Sequence, residues 1–490
     1  MSESAMSVPV MPLFAHQKEA IDFIISKNGC GMIAHEPGLG KTRTALEIFK
    51  LARFKNPNLK LVVIAPLSLL EAAWHNDLNK FFPCGYWSFE NCHKNGWTSR
   101  ESFDEYQKFA KLIDSDIYTV NYEFFQREDN VQMFMGLFRN HDVMAVLDES
   151  SKIKNYKALT TKHLLAIRNL FKLRIVMSGT PAPNSEEEYW GQMEFAVPGL
   201  LGKSFPKFKR TYFYLAGRGG LVLQSEGLSR AAMADLFRKQ GAEWRITADK
   251  RRALFDVIGP WIHAAKKDEC LDLPEQIDEV RLVQMGPRQK VAYKQMKNLL
   301  VAQIQGEDVV AQVALTKLMK LRELTSGFAF SEEGTIVETE CPKLMELDQI
   351  LEELGDRQAI IWCQFTWEIG KVAFQCSERG SVATLHGGTK DREDSINGFI
   401  SGKYRYLVAN PHSAAHGLTF VNCSHQIFFS LDYSWEAYEQ ARARTHRAGQ
   451  KSTCVYYYIL ADGTIDQEIL ECLKQKGNAQ QLVFKLKDQS

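Results

Sequence analysis

Short apolar, β-branched runs alternate with longer stretches of helical periodicity twice along this chain, in about the first 200 residues and again in about the last 150. LVVIAP (61–66), DIYTVN (116–121), VMAVLDES (143–150) and LRIVMSGT (173–180) each read as a buried strand that ends in turn or polar residues. QAIIWCQF (358–365), SVATLHG (381–387), YRYLVAN (404–410), HQIFFSLD (425–432) and VYYYILAD (455–462) form the second series. Near-continuous apolar strands separated by helices predict parallel sheets covered on both faces, hence an α/β fold with two lobes. Between the lobes, RQKVAYKQMKNLLVAQIQ (288–305) and VALTKLMKLRELTSG (313–327) are helical in pattern, with no comparable strand series beside them. The expected organisation is a first lobe over 1–198, a mostly helical insertion and bridge over 199–340, and a second lobe over 341–490.

Composition narrows the function classes. At about 150 residues per domain, 490 residues suggest roughly three structural units, and a hydrophobic fraction of 45% supplies their cores. Sixty Lys and Arg oppose 59 Asp and Glu, a formal charge of +1, so bulk positive charge cannot hold a nucleic acid. Any such contact must come from a local arrangement of basic groups. The 10 cysteines are dispersed without a Cys-x-x-Cys pair, which fits a reducing compartment. Cys84, Cys92 and His93 lack the fourth ligand of a zinc site. Glu3 stands where a signal peptide would carry positive charge, and no run approaches the roughly 20 apolar residues of a membrane span. A monomeric cytoplasmic protein without membrane contact is expected.

The first candidate chemistry lies at EPGLGKT (36–42), between the probable strand CGMIAH and the helical pattern RTALEIFKLARF. Gly38 and Gly40 let backbone N–H groups turn around phosphate oxygens, Lys41 can reach the β and γ phosphates, and Thr42 can ligate magnesium. His35 holds the position where the usual phosphate-loop pattern has glycine. About a hundred residues on, VMAVLDES places Asp148 to hold magnesium and Glu149 to polarise a water at the end of an apolar strand.

With these residues in place, the chain resembles the Swi/Snf family of double-stranded DNA translocases within helicase superfamily two. The resemblance runs from His16 and Gln17 to about Glu471 and rests on motifs in order. LFAHQKEAIDFI resembles the leading Gln motif, IAPLSLLEAAWHNDLNKF motif Ia, VNYEFF motif Ib, DESSKIKN motif II, and SGTPAPNSEEEYW motif III. In the second lobe AIIWCQF resembles motif IV, LHGGTKDREDSINGF the motif carrying Arg392, HGLTF motif V, and QARARTHRAGQ motif VI, the most family-specific piece. The resemblance implies two RecA-like lobes, ATP and Mg2+ as cofactors, and ATP contacts from His16, Gln17, Gly38, Leu39, Gly40, Lys41, Thr42 and Arg43. It implies metal ligation by Thr42 and Asp148, catalysis by Lys41, Asp148 and Glu149, and arginine fingers at Arg444 and Arg447. Arginines three apart on a helix also point the same way, so these two can face one partner. Coupling residues implied are Ser178, Gly179, Thr180, Gly417 and Gln440.

The chain departs from the family in three places. Ser150 and Ser151 follow Asp-Glu where a small residue and a His or Gln are usual, His35 replaces an acidic residue, and Ala264 and Ala265 replace an arginine pair.

The implied track is duplex or branched DNA, held through phosphates near Pro66, Asn121, Gln364, His386 and Trp435. Lys207, Lys209 and Arg210 in LGKSFPKFKRTYFY could add grip, although a basic helix whose aromatics pack in the core is the favoured reading of that segment. The expected activity is a DNA-dependent ATPase in replication, recombination or repair, by branch migration or fork remodelling, with proteins of those processes as partners. The compact size suggests a bacterial cell or a phage-infected one, and no chromatin-reading module fits, so nucleosome remodelling is not expected. A strand-separating helicase on single-stranded DNA or RNA, and a non-hydrolysing DNA scaffold, are the alternatives.

Overall fold

The computed structural model describes residues 12–81, 86–89, 115–182, 185–202, 204–217, 222–223, 243–306, 311–331, 335–413 and 418–475. Its chain forms two units, Met1–Cys270 and Leu271–Ser490.

The first unit is built on β1 (Cys30–His35), β2 (Lys60–Ala65), β3 (Trp87–Ser88), β4 (Ile117–Asn121), β5 (Val143–Asp148) and β6 (Leu173–Met177). A small antiparallel sheet of β7 (Tyr214–Ala216), β8 (Val222–Leu223) and β9 (Glu243–Arg245) follows, and then β10 (Ile262–Ala265) returns to the main sheet. That sheet is parallel throughout, in the order β10-β1-β6-β5-β2-β4-β3. Strand side chains alternate between two cores. Val62, Ile64, Val143, Ala145 and Leu147 face one, while Leu61, Val63, Ala65, Met144 and Val146 face the other. Burial on both faces explains why these strands are apolar at nearly every position.

The second unit carries β11 (Gln276–Val283), the hairpin β12 (Phe328–Phe330) and β13 (Ile336–Glu338), then β14 (Ala359–Trp362), β15 (Val382–Leu385), β16 (Tyr406–Ala409), β17 (His425–Phe428) and β18 (Cys454–Ala461). Six of these make a parallel sheet in the order β11-β18-β17-β14-β16-β15. Two parallel-sheet lobes are therefore present, as the apolar runs predict.

Residues 199–340 hold more than helices. Besides Phe205–Tyr212, Ala248–Ile258, Pro287–Gly306 and Ala311–Thr325, they supply one of the two edge strands of each main sheet, β10 and β11. Edge strands pair on one side only and need no continuous apolar run. Ile262–Ala265 is four residues long and contains a histidine, and in β11 Ile277, Val280 and Leu282 are exposed. Such strands escape a search for buried ones. The strand that follows the helical pattern thus leaves the first sheet at Ala265, and the chain crosses into the second unit at Leu271.

Candidate active site

The phosphate loop joins β1 to the helix Lys41–Lys55. Gly40 precedes that helix with φ 72° and ψ 38°, and Gly38 has φ 98°, left-handed conformations open to glycine without strain. A Cβ on Gly40 would also lie 2.4 Å from Gln17 Nε2. The Gln17 amide spans the loop: Nε2 donates to Gly40 O at 3.2 Å, and Oε1 accepts from Phe14 N at 3.0 Å. His16 Nε2 meets the carbonyl of buried Leu39 at 2.9 Å. His16 and Gln17 therefore shape the loop itself. Lys41 Nζ donates to His35 O at 3.0 Å, and Thr42 lies in the first turn of the helix, where backbone N–H groups and the dipole favour an anion. Arg43 pairs with Glu47 at 2.9 Å and stacks on Phe81.

Two of the three departures from the family pattern meet in space. Parallel pairing of β1 with β10 sets Ala34 beside Ala264 and His35 beside Ala265, and His35 Nε2 reaches His263 Nδ1 at 2.8 Å. Such a bond needs one ring as donor and the other as acceptor, so at least the accepting ring is neutral. Burial pulls His35 down to about 3, with His263, Lys41 and His16 adding to the effect, and burial also lowers His263. In this chain His35 and the pair Ala264–Ala265, two departures from the family pattern, are thus neighbours across the pairing of β1 with β10. Glu36 extends the same junction: its N–H donates to Ala265 O at 3.1 Å, and its Oε2 accepts from Lys267 N at 2.9 Å.

Asp148 ends β5 and Glu149 follows it, both buried. Asp148 Oδ2 accepts from Trp74 Nε1 at 2.9 Å, its Oδ1 accepts from Glu149 N at 3.0 Å, and its carbonyl accepts from Tyr122 Oη at 2.9 Å. Burial raises the Asp148 carboxyl above its ordinary value, while the Lys41 charge and the Trp74 bond pull the other way. A cation at this carboxylate would favour its charged form. With Thr42 it offers the hard oxygen donors that magnesium takes, and substrate phosphates and water ordinarily complete such a shell, so these residues fit the ion. Among the described residues no cluster of three or more His, Cys, Asp or Glu side chains could hold a metal by itself.

Ser178, Gly179 and Thr180 follow β6 and close on the loop. Ser178 Oγ accepts from Thr180 N at 3.1 Å, and a Cβ on Gly179 would stand 2.8 Å from Pro37 Cδ. The phosphate loop and the Ser178–Thr180 segment are thus in direct van der Waals contact.

In the second unit the helix Trp435–Arg442 ends before the candidate fingers, which correct the expectation that they share a helix. Arg444 and Arg447 occupy the turns that follow, and both still converge: each NH1 donates to Leu418 O at 3.0 Å. Gln440 lies buried on the preceding helix, with Nε2 at 3.4 Å from Glu436 Oε1. Gly417, like Cys84, Cys92 and His93, falls outside the described residues.

The proposed DNA contacts fall in both units. Pro66 starts a short helical turn, and Asn121 caps the turn Tyr122–Gln126 through Phe124 N. Gln364 is half-buried, with its N–H on Glu368 Oε2 and Ser430 Oγ. The His386 Nδ1 accepts from Gly388 N, and Trp435 opens its helix half-buried. Lys207 and Arg210 are exposed on the helix Phe205–Tyr212. Lys209 is a correction: it is buried, paired with Glu187, and set over the rings of Phe213 and Trp244, so its ammonium serves packing rather than a phosphate track. Burial lowers it to about 8.

Residues 16–327 match the SNF2-related domain, and residues 342–449 match the helicase conserved C-terminal domain. The chain belongs to the SNF2-related family. The pair of domains is that of ATP-hydrolysing, helicase-type enzymes. Among relatives, an uncharacterized ATP-dependent helicase of Mycoplasma pneumoniae is 26% identical over 481 residues, which are 96% of this chain and 42% of that protein. The human DNA repair and recombination protein RAD54-like is 24% identical over 507 residues, 93% of this chain and 64% of its own. This SNF2-related chain therefore spans only about half of the relatives it matches. The Sulfolobus solfataricus SWI2/SNF2 ATPase core in complex with dsDNA is 22% identical, with a TM-score of 0.42 over 95% of this chain and 91% of that one. No helix among the described residues is long and apolar enough to cross a membrane.

Proposed function

We propose that this SNF2-related chain is a DNA-dependent ATPase that moves along duplex or branched DNA, in the service of replication, recombination or repair by branch migration or fork remodelling. The observation that carries this reading is the continuity of one site. The Lys41 loop touches the Ser178–Thr180 segment through Pro37 and Gly179, and Lys41 acts electrostatically on the metal carboxylate Asp148. A change at the phosphates therefore reaches a segment outside the loop without any long relay.

In this reading Lys41 and the N-terminal turn of Lys41–Lys55 neutralise phosphate charge, Thr42 and Asp148 hold magnesium, and Glu149 takes the proton of the attacking water. Magnesium would screen the phosphate charge when bound. Exposed Lys207 and Arg210 are the basic groups of the Phe205–Tyr212 helix still open to a DNA backbone. A few such contacts suit a protein of near-zero net charge that must release its track in every cycle.

ATP turnover measured with single-stranded, duplex, forked and four-way DNA and with single-stranded RNA tests this reading. Duplex-containing DNA is expected to raise kcat by at least about fivefold. Stimulation by single-stranded RNA that exceeds stimulation by duplex DNA would reject it.

A further inference from the structure

The turn that presents Glu149 is strained and braced. Glu149 has φ 50° and ψ 53°, one of only two non-glycine residues at positive φ among those described. A residue with a side chain holds that conformation only where its surroundings impose it. Beside the Trp74 and Tyr122 bonds to Asp148, the helix Tyr189–Ala196 and its approach supply part of those surroundings.

Three contacts tie that helix to the turn. Gly191 lies so close that a Cβ there would stand 2.3 Å from Ile153 O, at the far end of the turn Ser150–Ile153. Lys154 Nζ pairs with Glu188 Oε1 at 3.5 Å. Ser150 Oγ donates to Gln192 Oε1 at 2.6 Å, with Ser150 and Gln192 both fully buried. The other end of the Gln192 amide donates to Pro181 O at 2.5 Å and Glu188 O at 3.0 Å. Gln192 thus spends its acceptor on the residue after Glu149, one donor bond on the residue after Thr180 and the other on Glu188 of its own approach.

We infer that Gln192 is a positioning residue for hydrolysis: through Ser150 it fixes the Glu149 turn, and through Pro181 it couples that turn to the Ser178–Thr180 segment. The physical case rests on burial. A primary amide in a dry site has few satisfied arrangements, so a shift of Pro181 must either drag the amide or leave a buried polar atom without its bond. Movement at either end is therefore transmitted to the other. The serine after Asp-Glu, a departure from the family pattern, acquires a role here as the hydroxyl that completes the connection. An apolar helix side chain at position 192 would pack against the turn but could not hold both ends.

The inference rests on the ATPase reading above, and the stimulated reaction is where coupling is expressed. The test compares wild type, Ser150→Ala, Gln192→Leu and the double variant Ser150→Ala/Gln192→Leu for kcat, KM for ATP and thermal stability, with and without a blunt DNA duplex. The double variant removes both members of the buried Ser150–Gln192 bond, so its melting temperature should lie nearer to wild type than that of Gln192→Leu. Its duplex-stimulated kcat is nevertheless expected to fall about tenfold, with KM for ATP within about twofold. A folded double variant with duplex-stimulated kcat within twofold of wild type overturns the inference. Should duplex fail to stimulate the wild type, the DNA reading fails instead. The connection is then judged on unstimulated turnover, where the same tenfold fall supports it and an unchanged kcat rejects it.

Discussion

Lys41→Ala and Glu149→Gln should each reduce ATP turnover by about 10³-fold or more, in phosphate-release assays with saturating ATP and DNA. The two changes remove different things. Lys41 brings a full positive charge to the loop, in a setting where helix N-terminal amides supply only partial charges, and alanine takes that charge away along with the bond to His35 O. Nucleotide affinity should therefore fall with turnover. Glu149→Gln keeps the volume and the backbone of a buried residue that follows β5. It abolishes the capacity to take a proton, so nucleotide should still bind while hydrolysis stops. Retention of nucleotide by Glu149→Gln, read by fluorescent-nucleotide titration, separates the two. Turnover within tenfold of wild type in Glu149→Gln would remove Glu149 from the base role.

Lys343→Met should destabilise the second unit by about 3–5 kcal/mol, because it leaves a buried carboxylate without its cation. Lys343 is 1% exposed and Asp466 5%, and Nζ lies 2.5 Å from Oδ2. Around this pair four elements meet. Lys343 Nζ donates also to Phe429 O, Thr325 Oγ1 donates to Asp466 Oδ1, and Ala461 N donates to Asp466 Oδ2. The pair therefore joins the helices Pro342–Leu354 and Ala311–Thr325 to the end of β18 and the helix Ile465–Lys474. Methionine matches the lysine stem in length and fills its space, so the loss measured is that of the charge and its bonds. In thermal melts of the full chain the transition should move down by about 10 °C. A shift below about 2 °C would show that the carboxylate finds water or another partner.

What could be read from the sequence follows the range of the forces involved. The central strands were legible because both faces are buried and nearly every position must be apolar. The phosphate loop and Asp148-Glu149 were legible because their chemistry is confined to a few consecutive residues at a strand end. Edge strands β10 and β11 were not, since one unpaired side frees their composition. Nor were the partners that come from far along the chain. Trp74 reaches Asp148 across 74 positions, Gln192 reaches Ser150 across 42, and His263 reaches His35 across 228. No local pattern marks such residues, and a tryptophan in an apolar segment or a glutamine in a helix reads as ordinary packing.

The arginine pair shows the opposite case. Its convergence was anticipated from a helical spacing that the chain does not adopt there. Convergence survives because both guanidinium groups meet one carbonyl, Leu418 O, from successive turns. Likewise His35 and the pair Ala264–Ala265 read in sequence as separate losses of charge. Parallel pairing of β1 with β10 places them side by side.

Triplex displacement reads ATP-driven movement along duplex DNA without relying on strand separation. A third strand is annealed to one end of a long duplex, and its release is followed on addition of wild-type protein and ATP. Release should require ATP hydrolysis and be absent with Glu149→Gln. Failure to displace the third strand, together with ATP-dependent unwinding of a forked duplex by the same preparation, would contradict such movement.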